Sequence, residues 1–308
     1  METEFKNLLD LSERFPDDIE CIEFLSNIRW PDGPVCVHCG SSRKIYTMDG
    51  GKLFKCADCR RQFSVRIGTI FEDSALPLRK WFMAIYLLMA HKKGISSIQL
   101  GKDIGVSQRT AWFMLHRIRF AIKTKSFDKK LTGIIEADKT YIGGKESNKH
   151  LDKKTKNTQG RSTKTKTVVF GINQRNGIVA AETVKNLTQK TIQGILKEQV
   201  SPNANIMTDE LNSYNGLDKH FKSHHSINHG LKEYVRGDIH TNGIESFWAI
   251  LKRGIYGIYH FTSRKHLDRY VDEFEYRFNN RNMKDSQRFN KVLIHLNCRL
   301  TYKKLIQA

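Results

Sequence analysis

No apolar run in this sequence reaches the roughly 18 residues that a membrane-spanning helix requires. The first residues, Met1-Glu-Thr-Glu-Phe5, are acidic where a secretory leader would be basic. A membrane protein and a secreted one are therefore not expected; the chain reads as cytoplasmic. Cysteine is too sparse for a disulfide scaffold, with six in 308 residues. Acid is also scarce: 32 Asp and Glu stand against 52 Lys and Arg, a formal charge of +20. Such an excess favours a polyanionic partner, because neutralised phosphates release their counterions. Disorder is not the reason for the charge, since 39% of residues are hydrophobic and 10% aromatic. The length allows two or three domains, each with a core.

The few cysteines are not scattered. Four form Cys36-x2-Cys39 and Cys56-x2-Cys59, sixteen residues apart. Two such knuckles supply four thiolates for a tetrahedral Zn2+, with a hairpin between them. A zinc ribbon over residues 31–72 follows, too small to be stable without its metal. Cys21 and Cys298 stand alone and read as small buried apolar residues. Lys52, Lys55, Arg60, Arg61 and Arg66, interleaved with Phe54 and Phe63, suit contact with a nucleic-acid backbone. Two short amphipathic helices over residues 1–30, broken at Pro16, lead into the ribbon through Trp30.

Residues 73–126 turn helical. Trp81 to Ala90 is apolar almost all round, the mark of a buried helix. The turn Gly105-Val-Ser107 then joins two shorter helices at helix-turn-helix spacing, with Ser107 as N-cap. Gln108, Arg109 and Thr110 would start the second helix and face base edges. After a linker near Lys123–Lys130, strands are expected over 132–138, 166–173, 177–184 and 205–208, with another near Ser226. A helix over 188–199 and one holding Glu245 complete a mixed α/β domain over 127–285. Between the first two strands, Lys145–Lys166 carries eight Lys or Arg, Lys153 and Lys154 among them. Such a loop would order on DNA. Amphipathic helices follow Lys265, and residues 286–308 read as a C-terminal tail.

The α/β half is organised around Thr241-Asn-Gly-Ile-Glu-Ser-Phe-Trp-Ala-Ile-Leu-Lys252. On a helix, Ile244, Phe247, Trp248 and Leu251 share a core face, and Glu245 and Lys252 share another. Asp138 and Asp209 each end an apolar strand. These three carboxylates can converge on two divalent cations, and hard oxygen donors select Mg2+ or Mn2+. Lys252 would steady a phosphate. Glu136, on the same strand face as Asp138, is the reserve ligand; Asp218 and Asp238 are weaker rivals.

The sequence resembles the DDE-type transposases of small bacterial and archaeal insertion sequences that carry an N-terminal zinc ribbon. The residues that carry the likeness are the cysteine quartet, Glu136-Ala-Asp-Lys-Thr-Tyr-Ile-Gly-Gly144, Thr208-Asp209, His240 to Gly254, and Tyr270 to Arg281. The resemblance implies an RNase-H-like catalytic fold, two metals per site, cutting at terminal inverted repeats, and strand transfer into target double-stranded DNA. It also implies a homo-oligomer on paired ends, a nucleoid-associated location, and a DNA contact from Arg253 beside Lys252. Two positions depart or compete: the family's first motif reads Asp-Glu where this chain has Asp138-Lys139, and some relatives place Asn third, which makes Asn242 the alternative to Glu245. The competing function is a zinc-containing DNA-binding regulator with an inactive transposase domain.

Overall fold

In the computed structural model, the described residues are 4–123, 130–144, 149–155, 162–231, 233 and 235–307. The chain divides into two units, Met1–Ile122 with Asn282–Ala308, and Lys123–Arg281. The linker at 124–129 and parts of the basic loop, 145–148 and 156–161, lie outside the described residues.

The first unit begins with α1 (Leu8–Arg14) and α2 (Asp18–Arg29). Asn7 and Asp17 cap them, each accepting two backbone amides. The ribbon is a three-stranded antiparallel sheet, β1 (Ile45–Met48), β2 (Leu53–Cys56) and β3 (Gln62–Phe63). Its small core is aromatic: Trp30, at the end of α2, meets Phe54 and Phe63 edge-on at 5.5 and 5.8 Å. Next come α3 (Leu78–Ala90), α4 (Ser97–Ile104) and α5 (Gln108–Ala121). Helix α3 is buried along most of its length, as its apolar sequence requires. Gly105 takes the left-handed conformation that ends α4, and Ser107 caps α5 by accepting the Thr110 amide.

The second unit holds β4 (Ile134–Ile142), β5 (Thr167–Gln174), β6 (Val179–Val184), α6 (Gln189–Gln199), β7 (Asn205–Thr208), β8 (Ser223–Ser226), α7 (Asn242–Gly254) and α8 (Leu267–Asn279). The sheet order is β6-β5-β4-β7-β8. Strand β5 is antiparallel to both neighbours, while β4, β7 and β8 run parallel. With the strands counted from β4, this is the 3-2-1-4-5 order of an RNase-H-like fold. The expected strands are present, but β4 continues past Asp138 to Ile142, and the last strand, expected to begin at Ser226, ends there. Between β7 and β8 the chain makes short 3-10 turns.

Strand alternation sorts the side chains onto two faces. Ile135, Ala137, Phe170 and Ile172 join Ile192 and Leu196 of α6 in one core. Val169 and Val179 join Ile244, Phe247, Trp248 and Leu251 of α7 and Phe274 of α8 in the other. Edge strand β6 is closed by α8 through side chains. Asn279 bonds both the N–H and the carbonyl of Val179 at 2.8 Å, Glu275 accepts the Ala181 amide, and Asp268 accepts the Thr183 amide. Every second residue of the edge is thereby satisfied, which blocks pairing with another chain.

Residues 286–308, read as a C-terminal helix or tail, cluster with the first unit. Helix α9 (Asp285–Ile294) inserts Phe289 between Phe5, Phe15 and Phe82, and α10 (Tyr302–Gln307) follows. Burying one such ring contributes about 2–3 kcal/mol.

Candidate active site

The site is built on β4. Because Ile135 and Ala137 face α6, Glu136 and Asp138 face α7. Asp138 lies opposite Gly171 of β5 in the ladder. The missing side chain there makes a hollow: a Cβ on Gly171 would come within 2.6 Å of the Trp248 ring. The indole fills that space, and its Nε1–H donates to Asp138 Oδ2 at 3.0 Å. Burial pushes the Asp138 carboxyl up to about 6, against the pull of the neighbouring Lys139 cation.

Asp209 follows β7 directly, and Thr208 pairs in parallel register with Ala137. The two aspartates therefore sit at the same end of the parallel β4–β7 ladder. Thr208 Oγ1 bonds the Asp209 carbonyl and meets His224 Nε2, both at 2.9 Å, and Asp209 Oδ1 accepts the Leu211 amide at 3.3 Å. Lys139 is ion-paired to Asp209 Oδ2, and its Nζ is 3.8 Å from Asp138 Oδ1. The buried phenol of Tyr214 feels both carboxylates; burial, then their charge, holds it well above the usual tyrosine range.

Glu136 has a different occupation from the ligand role held in reserve for it. It is 1% exposed. Its Oε2 accepts the Ile244 amide at 2.9 Å, and its Oε1 pairs with Arg175 Nε at 2.9 Å and lies 3.4 Å from His240 Nδ1. The carboxylate thus caps α7, whose own Thr241 supplies no side-chain cap. That fixes where α7 starts. Gly243 is required at this junction, since a Cβ there would fall 2.6 Å from Glu136 Oε2.

Glu245 is in the first turn of α7, exposed, with Oε1 accepting from Thr241 Oγ1 at 2.8 Å. At 100° per residue, Glu245 and Lys252 lie about 20° apart around the helix, and Trp248 lies about 60° from Glu245 toward the sheet. Asn242 lies about 60° on the far side of Glu245. Both Glu245 and Lys252 thus flank the indole that reaches Asp138. The three carboxylates are not closed into one ligand set: among the described residues, only the cysteine quartet gathers its ligand atoms within 4.8 Å. Asp218 and Asp238 are exposed.

The donor set fits a hard divalent cation. Asp138 and Asp209 offer carboxylate oxygens, and the Lys139 ammonium already stands at their junction as a cation. The cysteine quartet fits zinc. Sulfur atoms about 2.3 Å from a tetrahedral zinc are about 3.8 Å from one another. Cys36–Cys59 and Cys39–Cys56 are 3.6 and 3.7 Å apart.

Of the residues expected to meet DNA, Arg60, Arg61, Gln108, Arg109, Lys153, Lys154 and Arg253 are exposed. Thr110 is half-buried, its hydroxyl 2.9 Å from that of Ser107. Arg66 is used internally, bonded to Asp18 and to the carbonyls of Ser74 and Leu76. The reading from sequence missed Lys139 as a partner of both aspartates, the indole bond to Asp138, and Tyr214. Only the five-residue spacing from Asp209 to Tyr214 was available as a signal.

Comparison with known proteins agrees with this architecture. Residues 130–279 match the ISXO2-like transposase domain, and residues 16–62 match the transposase zinc-ribbon domain. A protein of Halobacterium salinarum described as an uncharacterized protein in transposable element ISH50 is 29% identical over 279 residues, 85% of this chain and 91% of that one. An uncharacterized transposase-like protein of Haemophilus influenzae is 32% identical over 111 residues, 36% of this chain and 89% of that one. Among solved structures, the Mos1 Strand Transfer Complex covers 69% of this chain and 76% of its own at 15% identity, with a TM-score of 0.31, too low to support any inference. The sheet order, the cysteine quartet and these relatives agree, and the chain belongs to the ISXO2-like transposase family, with a zinc ribbon preceding the transposase domain.

Proposed function

We propose that this protein is the DNA transposase of an insertion sequence, which binds the element's terminal inverted repeats and catalyses cleavage and strand transfer into target DNA. The observation that carries the reading is the juxtaposition of Asp138 and Asp209, each next after the last pair of the parallel β4–β7 ladder, beneath the α7 flank that bears Glu245 and Lys252. Asp138, Asp209 and Glu245 would hold two Mg2+ or Mn2+ ions, which would lower the pKa of the attacking water or 3′-hydroxyl and stabilise the leaving 3′ oxygen. Trp248 fixes the orientation of the Asp138 carboxylate through its indole N–H. Lys252 has no ion-pair partner among the described residues and is half-exposed, so its ammonium is available to neutralise the scissile phosphate. Glu245 is preferred to Asn242 because it lies nearer the Trp248 flank.

In this reading the first unit holds the DNA. Zinc in the cysteine quartet stiffens the ribbon, Arg60 and Arg61 meet phosphates, and Gln108, Arg109 and Thr110 start the recognition helix. Lys153, Lys154 and Arg253 would add backbone contacts from the catalytic unit, residues 127–285 in the expected boundaries. The charge of +20 supports a double-stranded DNA partner. A homo-oligomer on paired ends and a cytoplasmic, nucleoid-associated location complete the proposal. No helix among the described residues is long and apolar enough to cross a membrane. The second reading, a DNA-binding regulator with an inert catalytic domain, draws on Lys139, whose ammonium lies where a metal would bind.

The test is cleavage of labelled duplex carrying the parent element's ends by zinc-loaded protein in Mn2+. Wild type is expected to nick at the repeat ends, and Asp138→Asn and Asp209→Asn to bind the same duplex without nicking it. Binding without nicks by all three proteins would support the regulator instead.

A further inference from the structure

Lys139 is the least expected member of the site. Its side chain is 7% exposed, although Lys is among the residues least often buried. Asp138 and Asp209, 17% and 10% exposed, are both shielded from water, so their mutual repulsion is poorly screened. Among the described residues, the cation paired with both is the Lys139 ammonium, bound to Asp209 and 3.8 Å from Asp138. Two other cations of the unit are engaged elsewhere: Arg175 is bound to Glu136 and the His240 carbonyl, and Arg264 to the carbonyls of Thr163 and Lys164.

We propose that Lys139 is a built-in counter-cation, which holds the Asp138–Asp209 pair together in the metal-free protein and competes with divalent metal for it. This rests on the reading of that pair as metal ligands. Two positive charges cannot share so small a space at low cost, so the ammonium leaves before the pair accepts a divalent ion. The four-carbon stem of lysine permits that swing without any change in the strand. Metal loading is therefore an exchange of cations, and it is weaker than at a bare carboxylate pair. The same exchange reconciles the Lys139 contact with catalysis, because the contact describes the resting state and not a defect.

The measurement is a Mn2+ titration of zinc-loaded full-length protein, with free Mn2+ followed by its electron paramagnetic resonance signal. Wild type, Lys139→Met, Lys139→Gln, Lys139→Arg and Asp209→Asn are compared. Methionine matches the length of the stem without its charge; glutamine serves if the methionine variant does not fold. The neutral variants are expected to bind Mn2+ at least about tenfold more tightly than wild type. Lys139→Arg should stay as weak as wild type, and Asp209→Asn should lose the site. The neutral variants should also melt below wild type without metal and recover on Mn2+ addition, a readout independent of activity. Equal affinity in wild type and neutral variants, with loss in Asp209→Asn, would overturn the role of Lys139 and leave the transposase reading intact. Mn2+ binding indifferent to Asp209→Asn would overturn both.

Discussion

Single residues carry charges that the fold has displaced from their ordinary behaviour. Asp272 of α8 faces a cavity of about 240 Å3 shared with Glu182, Glu198, Asp268, Glu275 and one cation, Lys123. Burial pushes its carboxyl from 3.8 up to about 7, with Asp268 adding to the rise and Lys123 opposing it. The folded state thus favours the protonated acid. The unfolded chain ionises first, so stability is lost as pH rises from about 4 to about 7 and does not return above. Asp272→Asn carries no such proton. It is expected to match wild type near pH 4 and to exceed it at pH 8 by on the order of 2 kcal/mol, measured by urea denaturation at both values. A constant difference across that range would contradict the assignment.

At the same scale, the sequence was legible where spacing alone defines chemistry. Four thiols in two knuckles can do little else, and their sulfurs meet at the separation zinc needs. The position of Asp209 just past its strand could be read from the apolar run before it, whereas Asp138, expected at a strand end, lies in the middle of β4. The part played by Lys139 could not, because neighbouring strand residues point to opposite faces and a long flexible side chain does not obey that rule. Glu136 shared a face with Asp138, as expected. Its role as the cap of α7 depends on a contact across 108 residues of sequence, which no local pattern encodes.

Among the elements, the helices were the most legible, since a 3.6-residue period survives small errors of boundary. The N-cap Ser107 and the core face of α7 both followed from pattern. Strands were less so: β4 extends four residues past the expected end because its ladder with β5 continues to Ile142 opposite Thr167. The packing of α7 on β5 is where fold and site meet. Gly171→Ala would place a methyl 2.6 and 2.9 Å from the Trp248 ring and 3.2 Å from Ile244. Such overpacking costs about 1–3 kcal/mol, and the indole must move to relieve it. The expected outcome is a lower denaturation midpoint, a shifted tryptophan emission and impaired cleavage, as Asp138 loses its donor. Unchanged emission with full activity would show that the hollow does not position the indole.

For the whole molecule, the two units predict separable behaviour. The ribbon core is little more than Trp30, Phe54 and Phe63, so its order is expected to depend on zinc. Stripping zinc with a chelator is expected to abolish the ribbon's share of cooperative melting and to weaken DNA binding. The sheet of Lys123–Arg281, which has two cores of its own, should keep its transition. A melt unaffected by the chelator would mean that the thiols hold no structural metal. The RNase-H-like order was not readable from strand candidates alone; it came with the resemblance, and the parallel pairing of β4 with β7 is the long-range contact that realises it.

The account stands on Asp138, Asp209 and Glu245 acting together on DNA, and a strand-transfer assay tests that most directly. Zinc-loaded protein is incubated with labelled element ends, target plasmid and Mg2+ or Mn2+, comparing wild type with Glu245→Gln and Asn242→Ala. The account predicts joined products from wild type and Asn242→Ala, and none from Glu245→Gln. Joined products from Glu245→Gln at the wild-type level would contradict it.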